Sequence, residues 1–434
     1  MTLMDAARPT TTDHEVPSPE LWPLVNQVRP YAWGSRSHIP RFLGHPEDGE
    51  PAAELWLGAH AGDPSRLPEG DTLLDRIVAD PEATLGADVH ARFGARLPFL
   101  MKVLAAAEPL SLQVHPSPER AVVGYERENQ AGIPLEAGHR NYRDCSHKPE
   151  LIFALTRFEG MAGFRAVEDT ARLLRLLGHE WADETAHRLG EGTPAAALRR
   201  VVTDILRAGA GDPDGTARLL AELGERAHDT EERLHRQDSY SRARSHRPDP
   251  VLREATRVFA QLPDLVERYP ADAGALVTLL LNHIVLAPGE SMFVRAGLIH
   301  AYSRGLGVEI MASSDNVLRA GLTPKHMDVE ELLDVTDFTP SPAPYWNRVD
   351  LGDPDYARLT PPVEEFALHV ATSPVFELPP QGPRIVLALE GEVDVVCGGS
   401  RRTLPRGHSV FVPHSAGRIV VIGEGRVAVA SVPD

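Results

Sequence analysis

Cysteine is nearly absent from this chain of 434 residues, which contains only Cys145 and Cys397. Two cysteines are too few for the disulfide framework that holds small secreted proteins together. The N-terminal stretch MTLMDAARPTTTDHEVPSPE also lacks the basic and apolar segments of a secretion signal. We therefore expect a reducing compartment, the cytoplasm, and a flexible tail over residues 1–20.

Long apolar runs and an excess of positive charge are missing as well. Hydrophobic residues make up 42% of the chain, but no run approaches the roughly 20 residues that a membrane-spanning helix needs. The net charge is -18, so the average field of the protein repels a polyanion. We expect neither a membrane nor a nucleic acid as a partner, and any anionic ligand must be bound by a local cluster of basic residues.

Apolar residues follow two different patterns along the chain. Short apolar runs broken by Gly and Pro, such as LPFLMKVL and PELIFAL, predict β-strands from about residue 20 to 160, and this pattern returns after about residue 286. Between these regions apolar residues recur at helical spacing, for example Leu198, Val201, Val202 and Ile205. The pattern predicts a mainly β protein with an α-helical insertion. Within the insertion, the charged stretch DTEERLHRQDSYSRARSHRPDP is predicted to be a solvated surface loop.

A weak internal repeat connects two parts of the second β region. LAPGESMFV, from Leu286, matches LPRGHSVFV, from Leu404, with Leu, Gly, Ser, Phe and Val in register. A glycine turn that leads into a short apolar strand is typical of the corners of a small antiparallel barrel. We therefore predict two barrels of one kind. Only the first copy carries a histidine at the returning strand, His300, because the same offset in the second copy falls on Arg418.

The run SLQVHP places Gln113 and His115 two residues apart, so that both side chains point to the same face of a strand. HKPE adds Glu150 at the start of another strand, and GLIHAY adds His300. Two imidazoles, a carboxylate and an amide oxygen form a mixed N/O set that suits zinc or another divalent first-row metal. The spacing leaves a second interpretation open, in which His115 caps a turn and Glu150 is an ordinary surface carboxylate.

These residues belong to longer motifs that resemble the class I mannose-6-phosphate isomerases, which are zinc-dependent enzymes of the cupin type. The matching motifs span most of residues 31 to 330 and are YAWG, PAAELWLGAH, LPFLMKVLAAAEPLSLQVHP, HKPE, GLIHAY and ASSDNVLRAGLTPKHMD. The resemblance implies one Zn²⁺ per chain with Gln113, His115, Glu150 and His300 as ligands.

The resemblance also agrees with the domain organisation that the apolar patterns and the repeat predict, and identifies the two barrels as cupin-like jelly rolls. The catalytic barrel takes in residues 21–164 and 286–334, and the helical insertion takes in residues 165–285. Residues 335–434 form a second, metal-free barrel, for which no role is predicted. We treat His283 and the second-barrel histidines His408 and His414 as structural.

The activity implied by the resemblance is the interconversion of mannose 6-phosphate and fructose 6-phosphate through a metal-stabilised enediol, which feeds mannose and GDP-mannose metabolism. The substrate is then a small phosphosugar, and we expect a monomer. Two other classes of function stay open, a metal-dependent cupin oxygenase and a non-catalytic sugar-binding cupin. Oxygen uptake is the property that separates an oxygenase from an isomerase.

An isomerase needs a base, a group that polarises the carbonyl and a dry enclosure. We predict that Arg319 contacts the phosphate or the enediolate, because its guanidinium fork suits both. By resemblance, Ser111 and Lys102 help to bind the phosphate end of the substrate. Tyr302 and Glu309 line the pocket by resemblance as well.

The identity of the base stays open between Glu309, His147 and Lys148, and we place Glu309 slightly ahead. We assign Trp33, Trp56 and Glu54 to packing and to the support of the site.

Overall fold

The computed structural model describes residues 21–243, 249–347, 355–372, 375–378 and 381–433, with side chains left out for 237–243. The tail predicted over residues 1–20 lies outside the described residues. In chain order the strands are β1 (Trp22–Leu24), β2 (Val28–Arg29), β3 (Glu54–Leu57), β4 (Phe99–Ala106), β5 (Leu112–Val114), β6 (Glu150–Ala154), β7 (Phe158–Phe164), β8 (Leu281–Leu286), β9 (Ser291–Val294), β10 (His300–Ala312), β11 (Leu318–Gly321), β12 (Tyr345–Trp346), β13 (Tyr356–Leu359), β14 (Ala367–Ala371), β15 (Val375–Leu378), β16 (Arg384–Cys397), β17 (Ser400–Pro405), β18 (Ser409–Val412), β19 (Ile419–Ile422) and β20 (Gly425–Ser431).

The three longest of the described helices lie between β7 and β8 along the chain. The helices are α1 (His38–Leu43), α2 (Leu73–Ala79), α3 (Pro81–Leu85), α4 (Ala87–Phe93), α5 (Pro118–Gln130), α6 (Val167–Arg175), α7 (Glu180–Arg188), α8 (Pro194–Gly211), α9 (Pro213–Ala243), α10 (Pro250–Arg268), α11 (Gly274–Thr278) and α12 (Val329–Val335). None of the described helices is both long enough and apolar enough to span a membrane. The prediction of a mainly β chain with a helical region is confirmed.

Strand β10 organises the first barrel. Its C-terminal half pairs with β4 and β6, and its N-terminal half pairs with β5 and β7. The strand changes partners at Gly305, where φ is 128° and a Cβ atom would lie 2.7 Å from the carbonyl oxygen of Arg157. Only glycine tolerates this backbone and this close approach, which is how a long strand turns a barrel corner. The turn brings the two halves of β10, and their polar side chains, to one barrel interior.

The helices α6 to α11 pack as a layer against the first barrel. The apolar residues that recur at helical spacing form their shared core, including Leu198, Val201, Val202 and Ile205. Strand β8 lies, except for Leu286, within the stretch 165–285 that the sequence assigns to this region, and it pairs with β7 as part of the first sheet.

The predicted surface loop in this region is wrong over residues 229–243, which form the C-terminal half of helix α9. Over residues 229–236, where side chains are described, the helix is amphipathic, because Thr230 and Leu234 are buried while Glu232, Arg233 and Arg236 are exposed. Glu232 lies 3.4 Å from Arg236 one helical turn away, a spacing that supports an exposed helix. The many charges mask this narrow apolar stripe in the sequence.

The second barrel comprises strands β13 to β20, with a 3₁₀ turn at His414–Ala416. The sequence repeat corresponds to structure, because SMFV forms β9 and SVFV forms β18. The turn glycines Gly289 and Gly407 have φ values of 92° and 84°. Strand β1 pairs with β18, so that Trp22 lies opposite Phe411 and the start of the described chain joins the second barrel.

Candidate metal centre and active site

Three buried side chains converge inside the first barrel. His115 follows β5, Glu150 begins β6 and His300 begins β10. One carboxylate oxygen of Glu150 lies 3.2 Å from Nε2 of His115, and the other lies 3.2 Å from Nε2 of His300. One ligand atom from each of the three residues lies within 4.8 Å of the others, the only such cluster found among the described residues.

The hydrogen bonds of the two imidazoles fix which nitrogen faces the centre. Nδ1 of His115 lies 2.8 Å from the carbonyl oxygen of Asn316, and Nδ1 of His300 lies 3.0 Å from that of Leu298. A carbonyl oxygen only accepts, so each Nδ1 carries the hydrogen and each Nε2 presents a lone pair inward. Nε2 of His115 is buried and has no hydrogen-bond partner, and a buried nitrogen of this kind fits the role of a metal ligand.

The protonation states of the cluster also suit a metal. Burial lowers the pKa of His115 to about 4, so its imidazole is neutral at pH 7. Burial alone would raise the pKa of Glu150, but the charge of Lys148, 2.8 Å away, holds it well below its usual range. Neutral imidazole and ionised carboxylate are the forms that bind zinc. The donor set therefore fits a divalent cation.

Gln113 lies beside this cluster in strand β5. Its Cα pairs with His300 in β10 on one side and with Arg319 in β11 on the other, and residues in such register share a face of the sheet. The amide nitrogen of Gln113 donates to Oγ of Ser111 at 3.1 Å. The amide oxygen is then the atom that Gln113 has available for a metal.

A second group of buried polar side chains, Lys102, Glu309 and Glu54, lies in the same barrel. Nζ of Lys102 lies 3.1 Å from Glu309 and 3.5 Å from Glu54, and it lies 5.3 Å from the ring centroid of Trp56. Burial disfavours the charge on Lys102, but the two carboxylates outweigh it and raise its pKa. Burial raises the pKa of Glu309. A carboxylate with a raised pKa in a buried cleft is suited to proton transfer.

Lys148 and Tyr302 lie against the carboxylate of Glu150. Nζ of Lys148 is 2.8 Å from Oε1, and the hydroxyl of Tyr302 donates to Oε2 at 3.5 Å. Burial and the nearby carboxylates raise the pKa of Tyr302 well above its usual range, so the phenol stays neutral. His147 lies apart from this group, because its Nε2 is 2.8 Å from Oε1 of Glu365 in the second barrel.

Arg319 belongs to a basic group that the sequence only partly indicates. Its pKa is lowered by burial and by the charge of Arg143, and the pKa of Lys325 is lowered by burial, Arg319 and Arg143. Among the described residues, neither Arg319 nor Lys325 forms an ion pair with a carboxylate. Lys325 lies in the TPKHMD motif, so the sequence carries a signal for it, whereas it carries none for Arg143.

Asn316 is a further residue that the sequence does not single out. Its side chain is fully buried; it accepts from the backbone N–H of Arg143 at 2.7 Å and donates to the carbonyl oxygens of Asp144 and Ser146 at 2.8 Å each. Because its own carbonyl holds His115, this one residue connects the loop before β6 with the metal cluster. The contact with His115 is made by a backbone oxygen, which every residue type has, so the sequence does not indicate it.

Comparison with known proteins agrees with this geometry. Residues 21–167 match the family model described as phosphomannose isomerase type I, catalytic domain. The mannose-6-phosphate isomerase of Escherichia coli (strain K12) is 36% identical over 434 residues, which cover 93% of this chain and 98% of the relative. That of Rattus norvegicus is 31% identical and is covered over 94% of its length.

Solved structures show the same relationship. The mannose 6-phosphate isomerase from Salmonella typhimurium, bound to fructose 6-phosphate and zinc, has a TM-score of 0.80 at 33% identity, and the match covers 95% of this chain and 100% of that one. The fold class and the family resemblance predicted from the sequence motifs are thereby confirmed. This chain is a member of the type I phosphomannose isomerase family.

Proposed function

We propose that this protein interconverts mannose 6-phosphate and fructose 6-phosphate and that it uses one zinc ion per chain. The observation that carries the proposal is the His115–Glu150–His300 cluster, with an unpartnered imidazole nitrogen, beside the buried Lys102–Glu309 pair. The Salmonella relative is bound to both fructose 6-phosphate and zinc. No observation favours an oxygenase or a non-catalytic sugar-binding protein.

Zinc would be held by His115, Glu150, His300 and the amide oxygen of Gln113. When bound, it supplies Lewis-acid stabilisation of negative charge on a substrate oxygen. The two backbone carbonyls behind the imidazoles keep their Nε2 lone pairs directed inward.

The reaction moves a proton from C2 to C1 and a hydroxyl proton from O2 to O1. We propose Glu309 as the base for the carbon-bound proton, because it is buried, its pKa is raised and Lys102 holds its carboxylate in place. Lys148 is the second candidate, although its amine is engaged by Glu150 at 2.8 Å. The neutral hydroxyl of Tyr302 adds a hydrogen-bond group on the same side. The side chain of His147 is occupied by Glu365, so we place it last.

The phosphate is proposed to lie at Arg319, Arg143 and Lys325. Burial and the charge of Arg143 lower the pKa of Arg319, and burial, Arg319 and Arg143 lower the pKa of Lys325. None of the described carboxylates neutralises Arg319 or Lys325, so a dianion is the partner that this cluster lacks. Ser111 adds a hydroxyl near Gln113. Lys102 stays a proposed substrate-binding residue, and its contacts with Glu54 and Glu309 indicate that it acts near the reacting carbons.

We also keep the cytoplasm as the proposed compartment and a monomer as the proposed state. With a net charge of -18, capture of a dianionic sugar depends on the local basic cluster instead of the average field.

A coupled assay of mannose 6-phosphate isomerisation tests the proposal. The purified protein is expected to be active, to lose activity with a chelator and to regain it with zinc, while unphosphorylated mannose reacts poorly. Arg319→Ala should chiefly raise KM if the guanidinium only holds the phosphate, and should chiefly lower kcat if it stabilises the enediolate. Absence of isomerisation by the zinc-loaded protein, or oxygen uptake in its place, would overturn the proposed function.

A further inference from the structure

A contact between the two barrels reaches the edge of the active site. Nε2 of His147, in the loop before β6, lies 2.8 Å from Oε1 of Glu365, in the segment before β14. The side chains are only 20% and 16% exposed. Residues 218 apart along the chain therefore meet one residue before Lys148, which contacts Glu150, and one of them belongs to the barrel for which no metal ligand is proposed.

The position of Glu365 is fixed on both sides along the chain. Phe366 is fully buried in the core that the two barrels share, and the carbonyl oxygen of Glu364 accepts from Arg92 at 3.1 Å. Burial alone would raise the pKa of Glu365, but the hydrogen bond from His147 lowers it. An ionised carboxylate thus faces the imidazole from a rigid support.

Lys148 directly follows His147, so a contact that fixes His147 also restricts the backbone of Lys148. The amine of Lys148 lies 2.8 Å from the carboxylate of Glu150, a proposed metal ligand. The other side of the loop is held by the hydrogen bonds of Asn316 to the backbone of Asp144 and Ser146. Among the described residues, Glu365 is the hydrogen-bond partner of the His147 side chain.

We propose that Glu365 is a positioning residue for the isomerisation: it holds His147 so that Lys148 stays aligned with the metal cluster. The second barrel then contributes to the rate of a reaction that takes place in the first. This inference rests on the proposed function, but it concerns a residue outside the part of the chain that matches the catalytic-domain model, residues 21–167.

The test compares Glu365→Gln with Glu364→Gln in the zinc-loaded enzyme. Glutamine keeps the size of the side chain and removes its charge; Glu364 is 78% exposed and serves as the matched control from the same segment. We expect Glu365→Gln to lower kcat by about tenfold with little change in KM, in line with the effect of losing a supporting partner of a site residue. Zinc content and melting temperature should stay at the wild-type values, and Glu364→Gln should behave as wild type.

A double-mutant cycle with His147→Gln decides whether Glu365 acts through His147. In the His147→Gln background, Glu365→Gln should have no further effect on kcat, because the contact is already lost. The inference is overturned if Glu365→Gln matches Glu364→Gln, if its effect persists undiminished in the His147→Gln background, or if the loss of rate only follows a loss of zinc or folded protein. An inactive wild-type protein would instead refute the proposed function, so the two failures are distinguishable.

Discussion

At the scale of single residues, Asn316 shows how a side chain outside the metal cluster can control it. Asn316→Ala removes the hydrogen bonds that fix the loop at Arg143, Asp144 and Ser146, so the carbonyl that orients His115 loses its support. We expect zinc affinity to fall roughly 10- to 100-fold, measured by competition with a chelator.

Asn282→Ala is the matched control for this prediction. Asn282 is also buried and donates to three backbone carbonyls, those of Ala162, Gly163 and Ser341, but it touches none of the metal ligands in the contacts described above. Similar losses of zinc affinity in both variants would show that general destabilisation, and not the support of His115, causes the effect.

A second residue, His283, links stability to pH. Burial, together with the charges of Arg165 and Arg257, lowers its pKa to about 3. In the unfolded chain His283 has a pKa of about 6.5. Between that pH and its folded-state pKa, His283 is therefore protonated in the unfolded chain and neutral in the folded protein. The free energy of unfolding falls as the pH drops below about 6.5, by at most about 1.4 kcal/mol per pH unit from this group, until the pH reaches the folded-state pKa.

His283→Gln should remove this contribution, so that its unfolding free energy depends less steeply on pH between 6 and 4 than that of the wild type. Denaturant titrations at several pH values measure the slope, and His408→Gln, at an exposed position, is the control. Parallel slopes for wild type and His283→Gln would contradict the assigned pKa shift.

Some site residues could be predicted from the sequence and others could not. His115, Glu150 and His300 would bind the metal through side-chain atoms, so their residue types and motifs indicate the role. Asn316 acts through its backbone oxygen, and Glu365 acts on a residue far away in the chain. Neither contact follows from a local pattern, because each depends on which segments the folded barrels bring together.

At the scale of elements, strand β11 is held in place by a close approach of two glycines. A Cβ atom on Gly321 would lie 2.4 Å from Cα of Gly274, which begins α11. Gly321 also has a φ of 137°, and it is two residues after Arg319. Gly321→Ala should therefore destabilise the protein by about 1–3 kcal/mol and lower kcat, because the strand that carries Arg319 must shift.

The control for this variant is Gly70→Ala. Gly70 has a φ of 105°, but a Cβ atom there would have no neighbouring atom within 4 Å, so alanine at this position reports the backbone strain without the clash. Thermal unfolding and the isomerase assay compare the two variants. If both lose the same stability and keep full kcat, the contact between β11 and α11 does not position Arg319.

The elements differ in how readily the sequence predicts them. Strands β4, β6 and β16 and the buried faces of α6 and α8 follow from apolar runs and helical spacing, because one period dominates each of these segments. The end of α9 escapes prediction because, over residues 229–236, whose side chains the structure describes, only Thr230 and Leu234 are buried among many charges. Strand β1 could not be placed, because its pairing partner is β18.

At the scale of the whole molecule, the two barrels are related by the repeat but only one has a metal cluster among its described residues. Arg418 occupies the repeat position of His300 and forms a surface ion pair with Glu377 at 3.2 Å. We expect one zinc per chain, lost in His300→Ala and unchanged in His414→Ala, as measured by elemental analysis. Zinc above one per chain that disappears in His408→Ala or His414→Ala would contradict this.

The pairing of β1 with β18 has a consequence for how the chain is made. Residues 22–24 leave the ribosome long before their partners at 409–411 are made. The first barrel also waits for β10 before β4 and β6 can pair with it. Contacts this distant in sequence slow folding and leave strand edges exposed in the meantime. During translation, Trp22 and its neighbours are therefore available to chaperones until residues 409–411 have emerged.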